Sequence, residues 1–435
     1  MPYSETLGDK RVLVVGGGVA GLQVARGLAC LGVRTLLVER EPALGGHARF
    51  IYRDAPTEDE VREWLEGLVK SVVENPLVEV ETNSEVLETC RERGRFRVRL
   101  RRRPRFVDPR KCDLCGRCEE ACPVEVPRRF EMGLGRRKAI YLPVGAYPKA
   151  YLIDEESCLR FRGEDCRLCE EACPRGAVAY GDEAVERDVM VDAVVVATGF
   201  RLFDPSKTPQ YGYGRYRNVI NNMEFERLLN PNGPTSGEVV RLSDGKRPRS
   251  VVFLTCVGSR DLKHNPHCCR VGCSVAIKQA LSVRERYGDE VDVYVCYIDL
   301  RAVGRGVEEY YRKAMEEGVI FIQGQPSEVR PGEDGSLTVE IFDRSTGKLL
   351  SISGDLVVLE TGVSPNVDLA PILGLEVAED GFYRVKHLKF ETGRTGVEGV
   401  FVAGTAEGPK NIAETLDHAS KTALNVFEYL LSLPK

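Results

Sequence analysis

Two cysteine runs leave little freedom in what the middle of this chain can fold around. Cys112, Cys115, Cys118 and Cys122 are followed at once by Pro123, and Cys158, Cys166, Cys169 and Cys173 are closed by Pro174. Three closely spaced thiolates with a fourth before a proline are the ligand run of cubane iron–sulfur clusters, and in paired clusters the fourth thiolate reaches over to the other cluster. The expected ligand sets are therefore Cys112, Cys115 and Cys118 with Cys173, and Cys158, Cys166 and Cys169 with Cys122. The wider gap before Cys166 is tolerable, because lengthening a surface loop adds little closure entropy. Two structural zinc sites are the competing reading, since C-x-x-C is also a zinc spacing. Zinc supplies no reason for a fourth cysteine followed by proline, twice over.

Fifteen cysteines in 435 residues are too few for a disulfide scaffold, and their clustering points to metal and a reducing cytoplasmic compartment. The length predicts two to three domains, and 43% hydrophobic with 29% charged residues is ordinary soluble composition. The opening MPYSETLGDK has no basic segment followed by an apolar core, and no run reaches the length of a spanning helix. Direct membrane insertion is not expected; any membrane association would pass through partners. A net charge of −5 gives no reason to expect nucleic acid, and RRRPR at 101–105 reads as a solvated linker.

Residues 11–15 read as a buried parallel strand running into Gly16, Gly18 and Gly21 at G-x-G-x-x-G spacing, ahead of an amphipathic helix. This pattern lets the backbone approach a pyrophosphate at the helix N-terminus. A second strand ends at Glu39, placed for ribose hydroxyls, with Arg40 beside it; Gly45 and Gly46 let the chain pass close to a flavin, and His47 is a neighbour only. Residues 57–75 predict a core-facing helix opened by a Thr57–Glu60 capping box, with Trp64 among its apolar positions. Three strands should follow as a small sheet, with Cys90 an unremarkable thiol there. The strand 192–196 leads to Ala197, Thr198 and Gly199, where the chain turns beneath a dinucleotide, so the cysteine-rich segment is an insertion.

A second strand-turn-helix unit begins at 250, yet its turn holds only Gly258 and lacks the fingerprint, so a tight pyridine-nucleotide site is not expected. The turn carries Cys256, Cys268, Cys269 and Cys273 instead. These could hold a third cluster, with His264 and His267 as substitute ligands; a structural role or a redox pair remains open. Cys296 reads as core. The strand 356–361 reads as a crossover back to the flavin domain, and the last turn, with Gly404, Thr405 and Lys410, should face the flavin's ribityl and pyrophosphate.

Taken together, GGGVAG, Glu39, LGG, the paired cysteine runs, ATG, CVGSRD, HCCRVGC, AIKQA and VAGTAEGPK resemble the iron–sulfur flavoprotein A-type component of heterodisulfide reductase across essentially the whole chain. The resemblance implies a thioredoxin-reductase-like flavoprotein with an inserted two-cluster ferredoxin-like domain. It also implies that Lys278 lies beside the reactive edge of the isoalloxazine as the catalytic lysine. Methanogen-type members carry further N- and C-terminal domains. Their atypical cluster site reads Cys-Ser-Arg-x-Cys-Cys; here Cys269 replaces the serine and Gly272 a cysteine, while Cys256, Cys268 and Cys273 match.

The expected fold is α/β, of the FAD-binding two-dinucleotide-binding-domain type. The expected segments are 1–103, 184–249 and 354–435 for FAD, 104–183 for the ferredoxin-like insertion, and 250–353 for a degenerate nucleotide unit. Its cofactors would be FAD and two [4Fe-4S] clusters, with room for a third. The resemblance implies an oxidoreductase subunit working with B- and C-type subunits and a redox donor or acceptor protein, as a homodimer in a larger complex. A self-contained NAD(P)H-dependent disulfide reductase and the flavoprotein of a quinone-interacting complex are the alternatives.

Overall fold

The apolar strand Arg11–Val15 sits in the interior of a seven-stranded sheet because both of its faces find apolar cover. In the computed structural model, which describes residues 9–332 and 335–434, it pairs in parallel with Arg34–Val38 and Ala193–Val196, and Val400–Val402 continues the sheet. Val12, Val14, Leu37 and Val195 face helices Val19–Cys30, Val61–Val73 and Ile412–Ser432. Leu13, Val15, Leu36 and Val194 face a three-stranded antiparallel sheet of Ser84–Glu92, Arg95–Arg102 and Val185–Val191. Burial on both sides is what near-continuous Val and Leu runs demand of a parallel sheet. The opening segment on which the expectation of no leader rests falls mostly in residues 1–8, outside the described residues.

A second sheet is wholly parallel, in the order Val219–Asn221, Leu356–Thr361, Ser250–Val257, Asp292–Tyr297, Ile320–Gln323. Helices Asn222–Leu229, Gly272–Tyr287 and Val307–Glu316 cover one face and a three-stranded antiparallel sheet the other, with Cys296 fully buried in that core. Two expected boundaries are thereby corrected. Within 184–249, the strand Val219–Asn221 and its helix belong to the second unit; within 354–435, so does Leu356–Thr361. The crossing is made by the short pair Phe200–Leu202 and Val363–Pro365. Strand pattern alone could not choose between two parallel sheets of equal hydrophobicity.

Three local expectations also change. The helix begins at Val61, with Glu60 as an N-cap that makes no side-chain bond, so there is no capping box, and Trp64 is 39% exposed. The strand Val78–Glu81 joins the flavin-side sheet rather than the small one. RRRPR is not a solvated linker: its first two residues end a strand and Arg105 is buried. The Arg105 guanidinium donates to Thr82 Oγ1 at 2.8 Å and to the Tyr147 carbonyl at 2.7 Å.

That arginine is one of two anchors that seat the insertion. The other is Arg227, on the helix Asn222–Leu229, whose Nε donates to Glu131 Oε2 at 2.8 Å, with side chains 2% and 6% exposed. Its guanidinium lies 4.7 Å from the Phe130 ring centroid, and Phe130 stacks on Phe50 of the flavin side at 5.1 Å. Three parts of the chain therefore meet at one buried pair. Removing one partner strands a charge in the interior, so Glu131→Ala should lower stability by about 3–5 kcal/mol. Glu131→Ala with Arg227→Met should recover most of it, read from the denaturant midpoint.

Candidate flavin and cluster sites

The strands ending at Val15, Val38, Val196 and Val402 lie side by side, so the loops after them share one edge of the sheet. Gly16, at φ +113°, follows the first, and a Cβ there would stand 2.3 Å from the Ala197 carbonyl oxygen. The Gly45 amide donates to the Gly17 carbonyl at 2.8 Å, and a Cβ on Gly46 would meet Gly18 Cα at 2.9 Å. Gly18 caps the helix Val19–Cys30 without any side-chain bond, and the first turn carries no acid. Free amides at an uncapped helix start are suited to an anionic pyrophosphate. Glu39 stands at the end of the next strand, accepting from the Gly17 amide at 2.5 Å and the Glu41 amide at 2.7 Å. Burial raises its pKa against those two bonds.

Gly199 and Thr405 face each other across the edge: a Cβ on Gly199 would lie 3.8 Å from Thr405 Oγ1. Beneath this turn lies a pair that no motif in the sequence signals. The Gly404 amide donates to His418 Nδ1 at 3.0 Å, His418 Nε2 donates to Glu407 Oε2 at 2.6 Å, and the Gly393 amide donates to the same oxygen at 2.7 Å. His418 thus fixes the backbone of the expected ribityl turn. Lys410 Nζ stands 3.7 Å from Glu407 Oε1, and Thr198 exchanges hydrogen bonds with Asn366. Arg40 sits at the rim, half exposed and 3.7 Å from Asp368. His47 packs on Phe200 at 4.4 Å.

Lys278, which by helix position alone reads as a surface lysine, is buried. Its Nζ donates to both Glu226 oxygens at 2.9 Å and to the Arg53 carbonyl at 2.8 Å. Glu226 also accepts from the Tyr52 amide at 2.8 Å. The pair therefore grips the segment just after Gly45–Gly46. Glu360 is buried alongside, both its oxygens lacking a hydrogen-bond partner, and desolvation pushes its pKa far up.

In the insertion, Cys122, Cys158, Cys166 and Cys169 line one cavity, closed by Pro123, Ile140 and Tyr180. The fourth cysteine of the first run thus joins three of the second. Cys118 lies near Cys112 and Cys173, while Cys115 is exposed. The Ala177 amide donates to Cys173 Sγ at 3.3 Å, and Tyr180 Oη lies 2.9 Å from Cys169 Sγ. Burial pushes the free Cys118 thiol up to about 12. A bound metal, which deprotonates a coordinating thiol, suits such a group. Among the described residues no three His, Cys, Asp or Glu side chains converge closely enough for one ion. A cluster holds its thiolates around a body of several atoms, so the donor set fits clusters better than zinc.

Cys256, Cys268, Cys269 and Cys273 also share a cavity, with Arg260, Arg270, Asp299 and Arg301 on its wall. A register shift between Leu254 and Val257 and a left-handed φ of 62° at Cys256 turn that thiol out of its strand. Cys273 enters from the first turn of Gly272–Tyr287. Amides point at the sulfurs: Arg270 to Cys268 and Gly272 to Cys269 at 3.3 Å, and Arg301 to Cys273 at 3.4 Å. Cys268 is pulled down to about 5, first by its hydrogen bond from Cys269 and then by the Arg270 amide, against burial, while burial pushes Cys273 up to about 11. The histidines stand elsewhere: His267 Nε2 is 2.8 Å from the Val363 carbonyl, and His264 packs on Phe203. The phosphate turn of a nucleotide domain is thus given over to sulfur.

The model of the pyridine nucleotide-disulphide oxidoreductases matches residues 171–423. The chain belongs to that family. The 4Fe-4S dicluster domain model matches residues 111–177 and the FAD dependent oxidoreductase model residues 11–112. The chain is therefore an iron–sulfur flavoprotein of an oxidoreductase family, carrying FAD and [4Fe-4S] clusters. The A-type iron–sulfur component of the CoB–CoM heterodisulfide reductase of Methanocaldococcus jannaschii is 42% identical over 95% of this chain and 63% of its own length. The A-type component of the H2:CoB–CoM heterodisulfide,ferredoxin reductase of Methanothermobacter thermautotrophicus is 39% identical over the same shares. The chain is a homologue of these heterodisulfide reductase subunits and spans less than two thirds of their length. Thioredoxin reductases of Lactococcus lactis and T. acidophilum share the fold, each with a TM-score of 0.54, 14% identity, and coverage of 98% of this chain and 100% of theirs. No helix among the described residues is long and apolar enough to cross a membrane.

Gly46→Ala should strip FAD from the purified protein, since its methyl carbon must displace the Gly18 loop; flavin absorbance per chain measures this. In iron-stripped protein at pH 7, iodoacetamide should modify Cys268, already thiolate, well before Cys273, as peptide mass mapping would show.

Proposed function

We propose that the chain is the electron-distributing subunit of a heterodisulfide-reductase-like complex, passing electrons between FAD, its clusters and partner subunits of B and C type. The observation that carries this reading is a glycine-lined turn suited to a flavin and a cavity shared by cysteines of both runs in one packed chain, with Cys122 beside Cys158, Cys166 and Cys169. A bound flavin exchanges electron pairs and clusters exchange single electrons. The residues present divide the remaining work. Gly16, Gly18, Gly21 and Glu39 hold the dinucleotide end, and Gly404 and Thr405, set by His418, hold the ribityl end. Ala197, Thr198 and Gly199 form the floor between them. Lys278, fixed by Glu226, supplies a positive charge next to the segment that follows Gly45–Gly46.

The eight insertion cysteines would hold two clusters, and Cys256, Cys268, Cys269 and Cys273 a third. Four cysteine sulfurs around one cavity, three of them accepting an amide hydrogen bond, support that third site. The same arrangement disfavours a stand-alone NAD(P)H reductase. Its pyrophosphate would need the start of Gly272–Tyr287, where the Gly272 amide is bonded to Cys269. A homodimer joined to a donor or acceptor protein completes the proposal.

Iron, sulfide and flavin on anaerobically purified protein test it. About twelve irons per FAD are expected, falling to about eight in Cys269→Ala or Cys273→Ala; about eight in the unmodified protein would remove the third cluster. Stopped-flow mixing with NADH and NADPH should leave the flavin oxidised, and rapid bleaching without a partner would refute the proposed role.

A further inference from the structure

Three elements meet at His418: the turn Gly404–Ala406, the strand Glu391–Thr395 and its own helix Ile412–Ser432. His418 and Glu407 are both buried, 8% and 6% exposed. A backbone N–H can only donate, so the Gly404 amide at 3.0 Å requires a lone pair on His418 Nδ1. The single proton of a neutral imidazole then sits on Nε2, which faces Glu407 Oε2 at 2.6 Å. Glu407 is itself held, because the same oxygen accepts the Gly393 amide at 2.7 Å and its other oxygen faces Lys410 Nζ at 3.7 Å. The network is complete in one protonation state only.

The turn has little slack. Gly404 has φ +65°, and a Cβ on it would stand 2.5 Å from Ala20 Cβ and 3.1 Å from Thr415 Cγ2. Ala20 belongs to the first turn of Val19–Cys30, the helix whose start suits a pyrophosphate. The Gly404 backbone therefore lies against both the pyrophosphate helix and the helix that carries His418. The charged groups on this network are Glu407 and Lys410; the strand presents the Gly393 amide, Val19–Cys30 presents Ala20, and the helix of His418 adds Thr415 and Thr422.

We infer that His418 is a positioning residue for the flavin: it holds the Gly404 turn only as the neutral imidazole with its proton on Nε2, so that a proton added at Nδ1 frees the turn and loosens the flavin. The inference rests on that turn holding the flavin's ribityl end. Protonation would set two N–H groups head to head where one bond now stands, in an interior that offers the displaced amide no water. Flavin binding then expels a proton from Nδ1, so the hold is full above the imidazole range and is lost as pH falls through it.

Release of flavin from the holoprotein, followed by the rise of free-flavin fluorescence after dilution, tests this. Gln offers one acceptor and one amide donor in place of the neutral ring, whereas Leu offers neither. At about pH 8, release should be about tenfold faster in H418L and within about twofold of wild type in H418Q. On acidification to about pH 6, wild type should accelerate about threefold more than H418Q. Protonation of Glu39 would loosen the ribose end alike in both chains, so their difference reads His418. Equal acid responses in wild type and H418Q would overturn the inference. Release from H418Q as fast as from H418L would do the same and make His418 a packing residue. Should H418L fail to fold, the comparison of wild type with H418Q still decides. Hydrogen exchange separates the two layers, since FAD should protect residues 403–408 in wild type. Protection there with unaltered release in both variants would strike the role of His418 alone. Absence of protection would strike the assignment of the turn to the flavin, and the inference with it.

Discussion

A buried ion pair sets the distances on which an electron-transferring chain depends. Arg227 belongs to the second unit, Glu131 to the insertion, and Phe50, whose carbonyl Arg227 also reaches at 3.4 Å, to the flavin side. An inserted module joined only through its chain ends would drift by the length of its linkers. Here a bidentate pair in a low-dielectric interior, with Phe130 under the guanidinium, tolerates neither rotation nor separation without exposing a charge. Arg105 does the same at the start of the insertion by reaching three oxygens of the flavin side and the insertion: Pro42, Thr82 and Tyr147. Cluster and flavin positions are then properties of the packed fold.

The two large sheets use one device for different ligands. Each has a strand leading to a helix whose N-cap residue makes no side-chain bond to the first turn. In the flavin-side sheet the turn is short and glycine-lined, and the free amides suit a pyrophosphate. In the second sheet a bulge at Cys256 and a longer loop bring sulfur to the same place, so the helix dipole and the Gly272 amide act on thiols. The missing second fingerprint and the four cysteines thus meet at one place, with thiols at a helix start equivalent to the one that suits a pyrophosphate in the first sheet.

Much of this was legible because it depends on spacing. Cysteine intervals placed Cys122 with Cys158, Cys166 and Cys169, which line one cavity, and the glycine fingerprint with Glu39 marked the turn where the strands end. What was not legible depends on partners remote in the chain. Leu356–Thr361 has the same apolar strand pattern as Ala193–Val196, and only its pairing with Ser250–Val257 assigns it to the second sheet. His418 lies on a helix face with no motif and acts because the fold sets Glu407 against it. Lys278 looked like any helix lysine until Glu226, 52 residues away, was brought to it. Arg105 sat in a run of charges whose other members are exposed or half-exposed, so composition described the run and missed the residue.

The Lys278 neighbourhood shows why such groups are expensive and kept. An ammonium taken out of water in that interior needs polar partners in place of its hydration; both Glu226 oxygens and the Arg53 carbonyl supply them. A second carboxylate beside the pair would compete for the same cation. Glu360, with neither oxygen bonded, lies in the same interior, where desolvation pushes its pKa well above the ordinary carboxylate range. Lys278 is left pinned between the flavin-side segment at Tyr52–Arg53 and the helix that also presents Cys273, so one helix, Gly272–Tyr287, links the flavin side to the cysteine cavity through rigid backbone.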